Sequence, residues 1–68
     1  MIQELDRNTA INENKAAEVM DVKIQTLRNW RHLRKGPPYL KLGRCVRYKI
    51  DDIKSFMEAH RIDPEKAV

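Results

Sequence analysis

Gln25, Thr26, Arg28 and Asn29 lie within five positions of one another, and they are the side chains of this 68-residue chain with recognition chemistry to offer. An amide can donate and accept at once, which suits the N6 and N7 edge of adenine, and an arginine fork suits O6 and N7 of guanine. Leu27, Trp30 and Leu33 recur at steps of three through the same stretch, which predicts a helix over about residues 24–34 with those three on a buried stripe. Gln25, Arg28, Asn29 and His32 then face outward, with Thr26 and Arg31 on the flanks.

The charge around that helix is sharply segregated. Residues 23–50 hold Lys23, Arg28, Arg31, Arg34, Lys35, Lys41, Arg44, Arg47 and Lys49 and no acid, so they carry +9. The flanks hold the other five bases and all ten acids, or −5, and the overall +4 conceals the contrast. Like charges gathered in a folded chain repel, and a polyanion such as duplex DNA relieves that repulsion. A basic face that serves only solubility is the plain alternative.

Length and composition limit the rest. Sixty-eight residues suffice for one domain near the lower limit of a self-sufficient core. With 41% hydrophobic and 35% charged residues the composition is that of a globular chain. One cysteine allows no internal disulfide, and no apolar run approaches a membrane span, so a reduced, cytoplasmic protein without membrane contact is expected. His32, His60 and Cys45 have no metal-ligand spacing. No nucleophile with a base, paired carboxylates or glycine-rich phosphate loop is visible, so neither catalysis, a cofactor nor a small-molecule substrate is expected.

The elements that must position the readers follow in order. Residues 1–10 read as a loose arm, with Ile11 tucked against the core. Asn12 is a good helix N-cap, and Ala16, Ala17 and Met20 give the short helix after it one apolar face. Asp21-Val22 separates this helix from the next by about three residues, the spacing of a helix-turn-helix, with Val22 plugging the corner. The turn favours the left-handed region, where Gly fits best and Asp is tolerated. Gly36-Pro37-Pro38 ends the second helix. Leu40 and Leu42, then Val46, Tyr48 and Ile50, alternate with bases as two strands do. Pairing Leu42 with Val46 and Leu40 with Tyr48 places all of them inward, which predicts a three-residue loop with Arg44 at its tip. Asp51 is the expected cap of a last helix over about residues 52–61, with Ile53, Phe56 and Met57 on the core. Residues 62–68 read as a short tail.

This order resembles the small winged helix-turn-helix domains of the excisionase and MerR-like group, including AlpA-type regulators. Lys15-Ala16-Ala17-Glu18-Val19-Met20-Asp21-Val22 looks like that family's first helix and turn, and Thr26-Leu27-Arg28-Asn29-Trp30-Arg31 like its second helix. The stretch from Gly36-Pro37-Pro38 through Gly43-Arg44-Cys45 to Val46-Arg47-Tyr48 looks like its wing, and Asp51-Asp52-Ile53 opens the closing helix. Asp21 stands where the family usually has Gly, and Lys23 where Ser or Thr commonly caps the second helix. The resemblance covers about residues 11–60. It implies a mainly α fold with a small β-hairpin, residues 11–61 being the winged helix-turn-helix.

On that fold Gln25, Thr26, Arg28 and Asn29 are the expected base readers in the major groove. Arg44, with Arg47 and Lys49 on the outer face of the wing, is expected at the backbone or in the minor groove, and Lys23, Arg31, Lys35 and Lys41 at phosphates. Arg31 and Arg34 have ion pairing with helix acids as an equal alternative. Trp30, Tyr48 and Phe56 read as core, His32 and His60 as surface, and Cys45 as an exposed loop thiol. The resemblance implies an excisionase-like protein that binds and bends DNA beside further copies of itself and helps a tyrosine-recombinase integrase toward excision of a mobile element such as a prophage. A chain with little beyond its DNA-binding domain fits that job. An AlpA-like transcription regulator, or an adaptor whose basic face meets an acidic protein, is the rival reading. RNA is disfavoured by a major groove too narrow for a helix.

Overall fold

The computed structural model describes residues 9–65. Three helices pack on a three-stranded antiparallel sheet in the order β1 (Ala10–Asn12), α1 (Glu13–Met20), α2 (Ile24–His32), β2 (Leu40–Leu42), β3 (Cys45–Lys49), α3 (Ile50–Ala59). This is a winged helix-turn-helix. The core joins Ile11, Ala16, Ala17, Leu27, Tyr48, Ile50 and Ile53, with Met20, Val22, Ile24, Trp30 and Val46 packed around it. Residues 1–8 and 66–68, which cover most of the expected arm and the end of the tail, lie outside the described residues.

The helix-turn-helix is built from local backbone chemistry. Asn12 stays extended, and its side-chain oxygen accepts from the amide of Lys15 at 2.8 Å, satisfying a donor the first turn of α1 would otherwise leave unpaired. Ala16 and Ala17 are buried and have no bulk beyond Cβ, so α2 can come close. Asp21 takes the left-handed conformation at φ 55°, and the amides of Val22 and Asp21 then donate back to Ala17 and Glu18 at 2.9 and 3.1 Å. α2 begins at Lys23 without a side-chain cap. It ends on a second motif of the same kind, in which Arg34 at φ 61° lets the amides of Lys35 and Arg34 donate to Trp30 at 2.7 Å and Arg31 at 3.1 Å.

That early stop corrects one expectation. The helix was expected to reach residue 34 and bury Leu33, but Leu33 is the C-cap and is 60% exposed. Only Leu27 on the predicted stripe is fully buried, and Trp30 is half-buried with its ring 5.6 Å from that of Phe56. Once the chain turns left-handed at Arg34, a residue at the last helical turn no longer projects along the helix face.

The sheet departs further. β3 is central, with β2 on one side and β1 on the other; Ala10, Ile11 and Asn12 pair with Lys49, Tyr48 and Arg47. The segment expected as the end of an arm is thus a strand that brings Ile11 into the core. The wing pairs Leu42 with Cys45, Lys41 with Val46 and Leu40 with Arg47, so its loop is Gly43-Arg44 alone rather than three residues. Gly43 at φ 66° is the first loop position of the two-residue turn that matches strand twist, and this turn overrides the polarity match that favoured a longer one. A one-residue change of register moves side chains to the other face. Leu40 and Leu42 consequently lie across from the Tyr48 face, and Leu42 is 56% exposed.

α3 starts at Ile50, one residue after its cap Lys49, and Asp51 is not the cap. The amide of Ile50 donates to Thr9 at 3.1 Å and its side chain is buried, so the ladder hands the chain directly to the helix. Asp51 and Asp52 lie in the first turn, where the helix dipole favours acids. Ile53 is buried and Phe56 half-buried, whereas Met57 is exposed and does not join the core.

Two glycines carry different constraints. A Cβ on Gly36, at φ 81°, would sit 3.1 Å from Cβ of Trp30, whereas one on Gly43 would meet nothing within 4 Å. Gly43→Ala should therefore cost about 1 kcal/mol of backbone strain, and Gly36→Ala about 2 kcal/mol or more. Urea melts of the two variants check the order.

Candidate nucleic-acid interface

α2 presents Gln25, Arg28 and Asn29 to solvent, with Thr26 and Arg31 half-buried at its edges. Gln25 and Asn29, one turn apart, are joined by a 3.3 Å hydrogen bond from Nε2 to Oδ1. The two amides thus form a single polar ledge beside Arg28.

Arg28 and Arg31 are held by an acid from another helix. Oε2 of Glu13 accepts from Nε and Nη2 of Arg28 at 3.3 and 3.0 Å, and Oε1 accepts from Nη1 of Arg31 at 3.1 Å. The same Nη1 donates to the hydroxyl of buried Tyr48 at 3.1 Å, and the Arg31 guanidinium lies 5.7 Å from the centre of the Tyr39 ring. One carboxylate at the start of α1 therefore holds α2, and Arg31 in turn joins α2 to the central strand. The hydrogen bond from Arg28 is the main reason the Glu13 carboxyl is held below its ordinary value of 4.5; partial burial opposes this and Arg31 reinforces it. Arg28 is held more firmly protonated by Glu13, and Arg31 chiefly by the Tyr48 hydroxyl.

Two open basic grooves flank this node. One, of about 840 Å³, lies between the C-terminal half of α2 and the loop to β2, where Arg28, Arg31, Arg34, Lys35 and Tyr39 line it. The other, of about 550 Å³, runs between the start of α1 and the wing, where Arg31, Lys41, Arg44 and Arg47 face Asn12, Glu13 and Asn14. Arg31 and Tyr39 line both, so the recognition helix and wing share one continuous basic surface.

Of the eleven expected contacts, six line these grooves: Arg28, Arg31 and Lys35 by the helix, Lys41, Arg44 and Arg47 by the wing. Arg47 donates to the carbonyl of Val46 at 2.9 Å and is half-buried. Gln25, Thr26 and Asn29 are on α2 and line neither groove. Lys23 is exposed at the start of α2, and Lys49 is half-buried at the far end of β3; neither lines a groove. The sequence reading missed Glu13, Asn14 and Tyr39. Of the two arginines for which ion pairing was the alternative, Arg31 has such a pair and Arg34 has none among the described residues. No signal along the chain singles out Glu13, which lies 15 and 18 residues from its partners.

Among the described residues, no cluster of His, Cys, Asp and Glu could hold a metal ion, and no helix is long and apolar enough to cross a membrane. A family model described as a helix-turn-helix domain matches residues 13–61. A comparison with curated proteins gives no match.

The Glu13 node makes stability depend on acid. A carboxyl with a lowered pKa contributes stability that is complete above its ordinary value and is lost as pH falls through the lowered one. The native protein should lose stability as pH falls below about 4.5, and Glu13→Gln should lose less over that interval. Thermal melts between neutral pH and the acid limb check this.

Proposed function

We propose that this chain, which belongs to the helix-turn-helix domain family and is a sequence-specific DNA-binding protein, acts as an excisionase-like factor that bends its target. The observation that carries this reading is the continuous basic surface through Arg31 and Tyr39, which lets helix and wing engage one face of a duplex together. Gln25 and Asn29 read adenine edges in the major groove, Arg28 reads guanine, and Thr26 contacts the flanking base. Lys23, Lys35 and Lys41 contact phosphates, as Arg47 does from the wing and Lys49 from the far end of β3, while Arg31 stays on Glu13 and Tyr48 beside them. No catalytic step is assigned to any residue.

The wing supports the bending part of the proposal. Exposed Leu42 stands next to the turn that carries Arg44. An apolar side chain beside an arginine is the combination with which minor-groove proteins part and kink base steps. A domain this small covers few base pairs, so further copies on adjacent sites supply the remaining specificity. A bent array of copies is a platform on which a tyrosine-recombinase integrase can be steered toward excision.

Circular-permutation gels with a bound duplex test the bending. Leu42→Ala should reduce the bend while lowering affinity by less than about tenfold, since a kink trades unstacking against new contacts. An unbent duplex with the native protein would remove the architectural role. In the host, deleting the gene should lower the ratio of excised to integrated element; an altered transcript with unaltered recombination would identify a regulator instead.

A further inference from the structure

Among the described residues, Glu13 is the one acid whose side chain lines the two basic grooves. Both of its oxygens are engaged, one by the Arg28 fork and one by Arg31. A backbone phosphate likewise presents two anionic acceptor oxygens, either of which could take the place of the carboxylate oxygen that each arginine holds here. The carboxylate uses two of the five guanidinium donors of Arg28, through Nε and Nη2, and leaves three to face a base.

We infer that Glu13 is a specificity-determining residue that acts through Arg28 and Arg31, occupying them as an internal stand-in for DNA phosphate. The inference rests on the DNA-binding reading above and deepens it. A duplex of any sequence attracts cations in proportion to the phosphates they neutralise. An arginine already on Glu13 must exchange a carboxylate for a phosphate and gains little, so indiscriminate contact is held down. The donors of Arg28 that Glu13 leaves open keep their direction on the exposed face of α2, where a guanine edge adds hydrogen bonds without displacing the carboxylate. Arg44 and Lys35 have no such internal partner among the described residues, and they supply the general attraction.

The test measures binding of a mixed-sequence duplex of ~20 bp against salt by fluorescence anisotropy, with far-UV circular dichroism confirming each fold. Glu13→Gln should bind that duplex about 3- to 10-fold more tightly at ~50 mM salt, with a salt slope steeper by ~0.9 or more, the increment for one further phosphate. Glu18→Gln removes an acid of the same helix that among the described residues pairs only with Lys15, at 3.7 Å, and should leave the slope unchanged. Arg28→Gln alone should weaken binding less than about twofold, because that arginine is already occupied; an arginine on phosphate would cost a slope unit of ~0.9. This last variant decides the matter even if Glu13→Gln does not fold.

A slope for Glu13→Gln equal to the native one would overturn the inference, as would equal effects of Glu13→Gln and Glu18→Gln, which would reduce it to net charge. Loss of a full slope unit in Arg28→Gln would overturn it too. Failure of the native protein to bind the duplex even at ~50 mM salt is a different outcome, since it would remove the DNA-binding reading itself.

Discussion

The Tyr48 hydroxyl cannot reach bulk water, because the residue is 1% exposed, and a buried hydroxyl left unpaired costs on the order of 1–3 kcal/mol. Arg31 satisfies it, and satisfying it places a guanidinium against the core, where that charge needs a counter-charge. Glu13 provides this and with its second oxygen takes Arg28. One buried phenol thus sets a chain of requirements that crosses β3, α2 and α1. Among the described residues no buried side-chain polar atom is left without a partner. The recognition helix is consequently fixed in rotation about its own axis as well as in position, and the amide ledge of Gln25 and Asn29 is fixed with it.

Backbone geometry supplies the other constraint. Asp21 and Arg34 both occupy the left-handed region at the ends of their helices, where a side chain costs about 1–2 kcal/mol relative to Gly. Each returns two hydrogen bonds to the helix it closes. The turn at Asp21 sets the angle between α1 and α2, and the turn at Arg34 redirects the chain past Trp30 toward the wing. Since β1 and β2 both pair with β3, the strand bearing Tyr48 is held from both sides, and the wing is anchored to the same node as the helix.

Much of this was legible in the chain. The Asn12 cap, the small-residue face of Ala16 and Ala17 and the Asp21 turn are local signals, and local sequence decides them, whereas α2 stops at the left-handed Arg34 before Gly36-Pro37-Pro38 is reached. The hairpin register was not, because two local rules disagreed: inward parity of Leu40 and Leu42 asked for three loop residues, while Gly43 suited two. Turn geometry prevailed, and the leucines became surface. Leu33 and Met57 followed helical period but lay where no partner surface faces them. β1 was invisible because three residues of mixed polarity carry no period, and pairing with β3 is decided at a distance. Among the site residues, the charges of α2 and the wing were readable as a group. Their division between Glu13 and open groove was not, since it depends on contacts far apart in sequence.

The claim at the centre of this account is that the exposed face of α2 reads base sequence. Selection of bound duplexes from a random pool at ~150 mM salt, where phosphate attraction alone is weak, tests it most directly when the native protein is compared with the Gln25→Ala and Asn29→Ala double variant. A motif recovered with the native protein and lost in the double variant is the predicted result. No enrichment, or the same motif from both, would contradict it and would favour an acidic protein as the partner of the basic face.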